Sequence, residues 1–410
     1  MKFSLVILEF IFLALLNSVN AYEDSQYKLS YEGQLDNINY FKNDEIRGYK
    51  LYNNNKDEPT LDQLWGQDWP FTGIPSFAHL ETTKCLINSQ MNYDIGIIGV
   101  PFDTATTYRS GARFGPRAIR DASQRQNKLR GFNHRAKFNP YENWAKIIDC
   151  GDIPVTPMDN ELGLKQMTKA FEELILKRNS TTSTDDDDHI THPRLIALGG
   201  DHSILLPHVR ALNKIYDKIA IIHFDAHLDT WKPSKYPSFW SSPQSRFTHG
   251  SMIYLAYEEG LISDDYNVHI GLRTRLSGTS FEDYDDDKEQ GFIQIEADDV
   301  WINGREGLDN IVNTVYNRIP KDFPVYLSID IDCLDPGFAP GTGTIEPGGL
   351  LPRELIYLLR QLESLNLVGA DIVEVNPAFD QAEVTATNAA QVVFEILTSM
   401  VKKGKPIPIN

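Results

Sequence analysis

From Asp94 onward the chain alternates short apolar, β-branched runs with longer amphipathic stretches, a rhythm that admits few folds. Strands buried on both faces read as continuous apolar runs, and such runs occur at 95–100, 146–149, 194–198, 219–225, 267–272, 292–296, 324–331 and 367–374. Between them, apolar residues recur at helical spacing over 161–178, 203–217, 307–318, 352–365 and 386–402. Strands separated by helices pair through crossovers, so the expected architecture is α/β, with a mainly parallel sheet between helices. Ligands of such sheets sit beyond the carboxyl ends of the strands.

Three polar clusters fall at those ends. Gly199-Gly200-Asp201-His202-Ser203 follows the run ending near Leu198, Asp225-Ala226-His227-Leu228-Asp229 closes the run from Ile219, and Ser328-Ile329-Asp330-Ile331-Asp332 closes the run from Val325. If the strand ends stay extended, alternation puts Asp225, His227 and Asp229 on one side, and likewise Asp330 with Asp332. One Asp-x-His or Asp-x-Asp alone would be ordinary turn chemistry. Together, two imidazoles and four carboxylates with no basic residues to neutralise them point to two divalent cations sharing oxygens. The set is oxygen-rich and lacks thiolates, which favours manganese over a structural zinc, while nickel, iron or cobalt are compatible with its imidazoles. Two other acidic runs, Asp185-Asp186-Asp187-Asp188-His189 and Asp285-Asp286-Asp287-Lys288, read instead as solvated surface segments.

Over 410 residues the formal net charge is -18, which disfavours nucleic acid and anionic membranes and suits a cationic small molecule. Cys85, Cys150 and Cys333 are odd in number without paired spacing; they imply no disulfide framework and at least one free thiol, with Cys333 a buried small side chain. Lys2, the apolar stretch Phe3 to Leu16 and Val19-Asn20-Ala21 read as a signal peptide, residues 1–21, directing the chain to the secretory pathway; an uncleaved anchor is the alternative. Asn179-Ser180-Thr181 is a glycosylation acceptor. Residues 22–90 lack sustained periodicity and form an N-terminal extension, which leaves 91–405 as the catalytic domain.

The three clusters, in this order, resemble the signatures of the ureohydrolase family of arginases and agmatinases, and the resemblance runs from about Asp94 to Lys402. It implies a three-layer arginase-like fold, a homo-oligomer of three or six chains, and two manganese ions per subunit. Carried over, one ion is expected on His202, Asp225, Asp229 and Asp330, the other on His227, Asp225, Asp330 and Asp332. Two adjacent cations make a water nucleophilic near neutral pH, for attack on a guanidinium carbon. Glu374, in Glu374-Val375-Asn376-Pro377, matches the family carboxylate that holds the guanidinium; His249, in Thr248-His249-Gly250, matches its proton-shuttling histidine; Asp229 counts with them among the catalytic groups.

Substrate choice rests on other residues. Pro101-Phe102-Asp103, followed by Tyr108-Arg109-Ser110-Gly111-Ala112-Arg113-Phe114-Gly115-Pro116, looks like the agmatinase branch. Thr230-Trp231-Lys232 stands where arginases carry an Asn that reads the amino-acid end of arginine, so agmatine, cleaved to putrescine and urea, is the expected substrate. The segment from Trp231 to Phe247, with Trp240, is longer than agmatinases suggest and leaves guanidinobutyrate or arginine as alternatives. A catalytically silent binding protein of the same fold is the remaining reading, and it is disfavoured because all six ligands are present.

Overall fold

The computed structural model describes residues 68–176, 192–235, 244–302 and 304–407, with isolated positions at 60, 61, 65, 66 and 242. The signal segment, Asn179, the Asp185 to His189 run and Trp240 lie outside the described residues. The chain divides at Trp69 and Pro70, and every described strand belongs to the unit Pro70–Asn410.

Among the described residues eight strands form one sheet: β1 (Ile95–Val100), β2 (Ile147–Asp152), β3 (Arg194–Gly199), β4 (Ala220–Phe224), β5 (Asn267–Leu272), β6 (Phe292–Glu296), β7 (Pro324–Asp330) and β8 (Asn366–Val373). Their spatial order is β2-β1-β3-β8-β7-β4-β5-β6, and every pair is parallel. Each apolar run of the sequence is a strand of this sheet. The run ends are less regular. β4 stops at Phe224 and β7 at Asp330, so Asp225 to Asp229, and Asp332 beyond Asp330, lie in turns and not along extended strand ends. Asp229 is left-handed (φ 56°) and Asp332 lies in the short 3-10 turn Ile331–Cys333. The expected alternation does not bring those carboxylates together, because hydrogen bonds from His227 N to Asp225 Oδ1 (2.7 Å) and from Asp332 N to Asp330 Oδ1 (2.8 Å) turn the chain away from the sheet.

Among the described residues the α-helices are α1 (Gly115–Ala122), α2 (Asn160–Ile175), α3 (Leu205–Tyr216), α4 (Met252–Glu258), α5 (Glu282–Glu289), α6 (Ala297–Trp301), α7 (Arg305–Arg318), α8 (Pro352–Gln361) and α9 (Val384–Lys403), joined by loops that contain short 3-10 turns. Two apolar clusters lie on opposite faces of the sheet. Ile95, Ile97, Ile222, Phe224, Leu327 and Ile329 pack with Ile119, Val315, Leu358 and Val393 of α1, α7, α8 and α9. The alternate strand positions, Ile98, Val100, Ile221 and Tyr326, pack with Met167, Phe171, Leu212 and Ile253 of α2, α3 and α4. That makes three layers. Each buried Ile or Leu contributes about 1.5–3 kcal/mol, and the two faces together hold the sheet's polar ends in register.

Two readings change at the level of elements. The run Asp285-Asp286-Asp287-Lys288 belongs to α5, and Asp287 is fully buried beneath His269, so the solvated reading fails for it. A one-sided helix of eight residues with few apolar side chains carries no legible hydrophobic stripe. Cys85 and Cys150 form a disulfide across 65 residues that spacing could not reveal, while Cys333 is free and buried.

Candidate metal centre

The four central strands, β3, β8, β7 and β4, end side by side, and each delivers part of one site. After β3 the chain passes Gly200, where any Cβ would meet the carbonyl oxygens of Phe102 and Val100 at 2.1 and 2.5 Å, and drops His202 into the core. Asp225 follows β4, Asp330 ends β7 and Glu374 follows β8 in the left-handed region (φ 62°). Left-handed backbone at Asp229 and Glu374 is unusual for non-glycine residues and is tolerated where the surroundings enforce it.

All six expected ligands converge. His202 Nδ1 lies 3.1, 3.2 and 3.3 Å from single oxygens of Asp225, Asp229 and Asp330, and His227 Nδ1 lies 3.2 Å from oxygens of both Asp225 and Asp332. Asp225 thus faces both groups through different oxygens. Asp201, His202, Asp225, Asp229, Asp330 and Asp332 are buried, and His227 nearly so.

The polarity of the site is set from behind. His202 Nε2 is 2.7 Å from Ser328 Oγ, whose hydroxyl donates to Asp371 Oδ1 (2.7 Å), so Nε2 carries the proton and Nδ1 presents a lone pair to the carboxylates. Tyr326 donates to the other oxygen of Asp371 at 2.7 Å. His202 Nδ1, Asp225 Oδ2 and His223 Nε2 are buried without a hydrogen bond among the described residues. Burial without a partner costs several kcal/mol per charged group, and a cation at their common centre removes that cost.

The charges say the same. Burial, with Asp332 and Asp225 as neighbours, pushes Asp330 well above the usual carboxylate range, and burial with Asp225 raises Asp332. His202 and His227 are raised well above the ordinary imidazole value against the effect of burial, His202 by Asp225, Asp229 and Asp330, His227 by Asp332 and Asp225. Two divalent cations would replace this proton-sharing arrangement; the donor set of imidazole nitrogen and carboxylate oxygen fits them.

A cleft of about 310 Å³ opens above the cluster, bordered by His227, Asp229, Asp330, Trp231, Lys235 and His249. His249 Nδ1 meets Glu374 Oε1 at 3.0 Å, and Glu374 raises the imidazole to about 9 against the effect of burial. Glu374 Oε1 also accepts from His202 N at 2.9 Å; among the described residues no donor is seated on its Oε2. The Pro101 to Pro116 region reaches the site through Thr107, whose backbone N–H points at His249 Nε2 (3.0 Å) and whose hydroxyl is 2.8 Å from it. Asp103 folds that region by accepting from Gly111 N at 2.6 Å, with Gly111 at φ 129° against Asn376.

His223, His269, Asp371 and Asp287 were missed in the sequence, as was the part Ser328 plays. A signal existed for four of these: His223, His269, Ser328 and Asp371 are polar residues inside otherwise apolar runs, and His223 and Ser328 stand two positions before a ligand candidate.

Residues 93–398 match the family described as "Arginase family". The chain is 47% identical over 338 residues to a Schizosaccharomyces pombe protein named "Putative agmatinase 1", covering 82% of this chain and 84% of that one. It is 40% identical over 311 residues to the agmatinase of Citrobacter koseri, with 75% and 88% covered. Its structure is similar to the proclavaminate amidino hydrolase of Streptomyces clavuligerus, with a TM-score of 0.70, 32% identity, and coverage of 82% of this chain and 100% of that chain.

Proposed function

This chain belongs to the arginase family and is a ureohydrolase, and from that premise we propose that it cleaves agmatine to putrescine and urea at a pair of manganese ions. The observation that carries the reading is the convergence of His202, Asp225, His227, Asp229, Asp330 and Asp332, with His202 Nδ1, Asp225 Oδ2 and the adjacent His223 Nε2 lacking partners among the described residues, at the floor of a cleft that also holds His249 and adjoins Glu374. The relatives named agmatinase support the choice of substrate. When bound, the two cations supply positive charge that acidifies a water and offsets the negative charge developing on the substrate.

The chain's own residues do the rest. Glu374 offers its unoccupied Oε2 to the guanidinium, holding the planar cation with its carbon toward the cluster. Water gives one proton to Asp229 on the cleft floor as its oxygen bonds to that carbon, the C–N bond to the aliphatic chain breaks as the departing amine takes a proton, and the second proton of the water restores the donor as the urea carbonyl forms. His249 is placed to give the amine its proton: Thr107 N–H favours a neutral ring, but the buried charge of Glu374 outweighs it and keeps His249 protonated at neutral pH. Asp201, raised to about 7 by burial and by Glu374, braces the loop by accepting from Ala105 N and Ser203 N.

A second reading, a guanidino acid such as guanidinobutyrate, is favoured by Lys235, an ammonium on the cleft wall held by Asp286 at 2.9 Å and Asp283 at 3.2 Å. Urea release from agmatine, arginine, guanidinobutyrate and guanidinopropionate, each with manganese or nickel, separates the readings. Turnover of agmatine above the others is expected; turnover of a guanidino acid alone would transfer the assignment to it. Export through the secretory pathway is the accompanying proposal, supported by the Cys85–Cys150 disulfide, which persists in oxidising compartments. Cell fractionation tests it, and a product confined to the cytosol with residues 1–21 intact would sink it. A trimer or hexamer is the expected assembly, measurable by light scattering.

A further inference from the structure

The metal cluster rests on a row of polar side chains that crosses the sheet. In register, His269 of β5 pairs with His223 of β4, His223 with Ser328 of β7, and Ser328 with Asp371 of β8. All four are fully buried, and each end of the row is closed by a carboxylate. At one end Asp371 orients His202 through Ser328. At the other stands Asp287 of α5, which no part of the mechanism above uses.

We propose that Asp287 is a positioning residue of the metal centre, acting through His269 and His223 on Asp225; the inference rests on the metal-centre reading above. Asp287 Oδ1 lies 2.9 Å from His269 Nε2, His269 Nδ1 lies 2.8 Å from His223 Nδ1, and His223 Nε2 lies 3.1 Å from Asp225 Oδ2. A carboxylate only accepts, so His269 donates from Nε2 and its Nδ1 is a lone pair. With both rings neutral, that lone pair takes the Nδ1 proton of His223. His223 Nε2 is therefore bare and faces the bare Oδ2 of Asp225, and neither atom has a hydrogen-bond partner. Two lone pairs at this distance favour a cation between or beside them and disfavour a proton. The direction of the whole chain is decided at Asp287, which is locked by Gln294 Nε2 (2.6 Å) and by the hydroxyl of Thr230 (2.8 Å), the residue after Asp229.

Asp287→Asn keeps the shape and reverses the chain. Its amide N–H can donate to His269 Nε2, which turns His269 Nδ1 into a donor, His223 Nδ1 into an acceptor, and His223 Nε2 into a donor that hydrogen-bonds Asp225. A proton then occupies the position that favours a cation. The test is calorimetric titration of Mn2+ into metal-stripped protein, with the melting temperature of the stripped form measured alongside. Wild type should bind two ions per chain. Asp287→Asn should bind about 10- to 100-fold more weakly, the usual effect of disturbing a ligand's hydrogen-bond support, while its stripped form melts no lower than wild type. A merely structural aspartate would show the opposite, a lower melting temperature with affinity unchanged, and that result overturns the proposal. So does an affinity loss that comes with a destabilised stripped form. Should Asp287→Asn not fold, His269→Phe cuts the chain at its middle and frees His223 to protonate Nε2; weaker Mn2+ binding supports the proposal and unchanged binding overturns it. If wild type itself takes up no divalent ion, the metal-centre reading falls first; if only the variants match wild type, Asp287 alone loses its role.

Discussion

At the scale of single residues, the site separates groups that make the cluster from groups that work above it. Asp225 faces His202 and His227 through different oxygens, so Asp225→Ala should abolish urea release and leave fewer than two manganese ions per chain by metal analysis. Unchanged metal content would refute its place between the ions. His249 touches no carboxylate of the cluster and pairs with Glu374, so His249→Ala should keep the metal and slow turnover by about 10²- to 10⁴-fold, the range of a general acid. The pH dependence has a definite sign. His249 is raised to about 9, so its proton is available below that and urea release should decline as pH rises through about 9; the variant should lack that limb. The same pair stabilises the fold fully below the ordinary imidazole value of about 6.5 and loses this contribution as pH passes about 9. A wild-type rate profile flat across that window would contradict the assignment. The convergence of His202, His227 and the four aspartates was legible because imidazoles and carboxylates interrupt apolar runs at strand ends. Asp287 was not, because an aspartate among aspartates on a short helix looks solvated until the fold buries it.

At the scale of elements, the eight strands were readable because a parallel sheet buried on both faces demands continuous apolar runs. Helices α2, α3, α7, α8 and α9 were readable by their periodicity. α1, α4, α5 and α6 were not: they span eight residues or fewer, too short for a helical stripe to emerge. The turn after β3 shows how tightly these elements are coupled. A methyl group at Gly200 would strike the backbone between β1 and the Pro101 to Pro116 region, so Gly200→Ala should destabilise the fold by about 2–4 kcal/mol in denaturant unfolding and displace His202. A variant as stable as wild type, with full metal content, would mean that the loop relaxes freely.

At the scale of the whole molecule, the Cys85–Cys150 disulfide closes a 65-residue separation, worth about 4 kcal/mol in chain-entropy terms. Reduction should lower the melting temperature while leaving the KM for the substrate unchanged, since neither cysteine borders the cleft; a changed KM would place the crosslink in the function. The net charge of -18 adds that raising the salt should reduce kcat/KM for a dicationic substrate more than for a zwitterionic one. The residue types gathered at the candidate site and the layering of the fold were determined by the sequence alone, because residue type and apolar periodicity are local properties that survive without coordinates. Only the tertiary structure decided the rest: which carboxylates meet, which nitrogen of each histidine holds the proton, and which cysteines pair. Those depend on register between strands far apart in the chain, where Asp287, His269 and His223 become neighbours of Asp225 only once β4, β5 and α5 have packed.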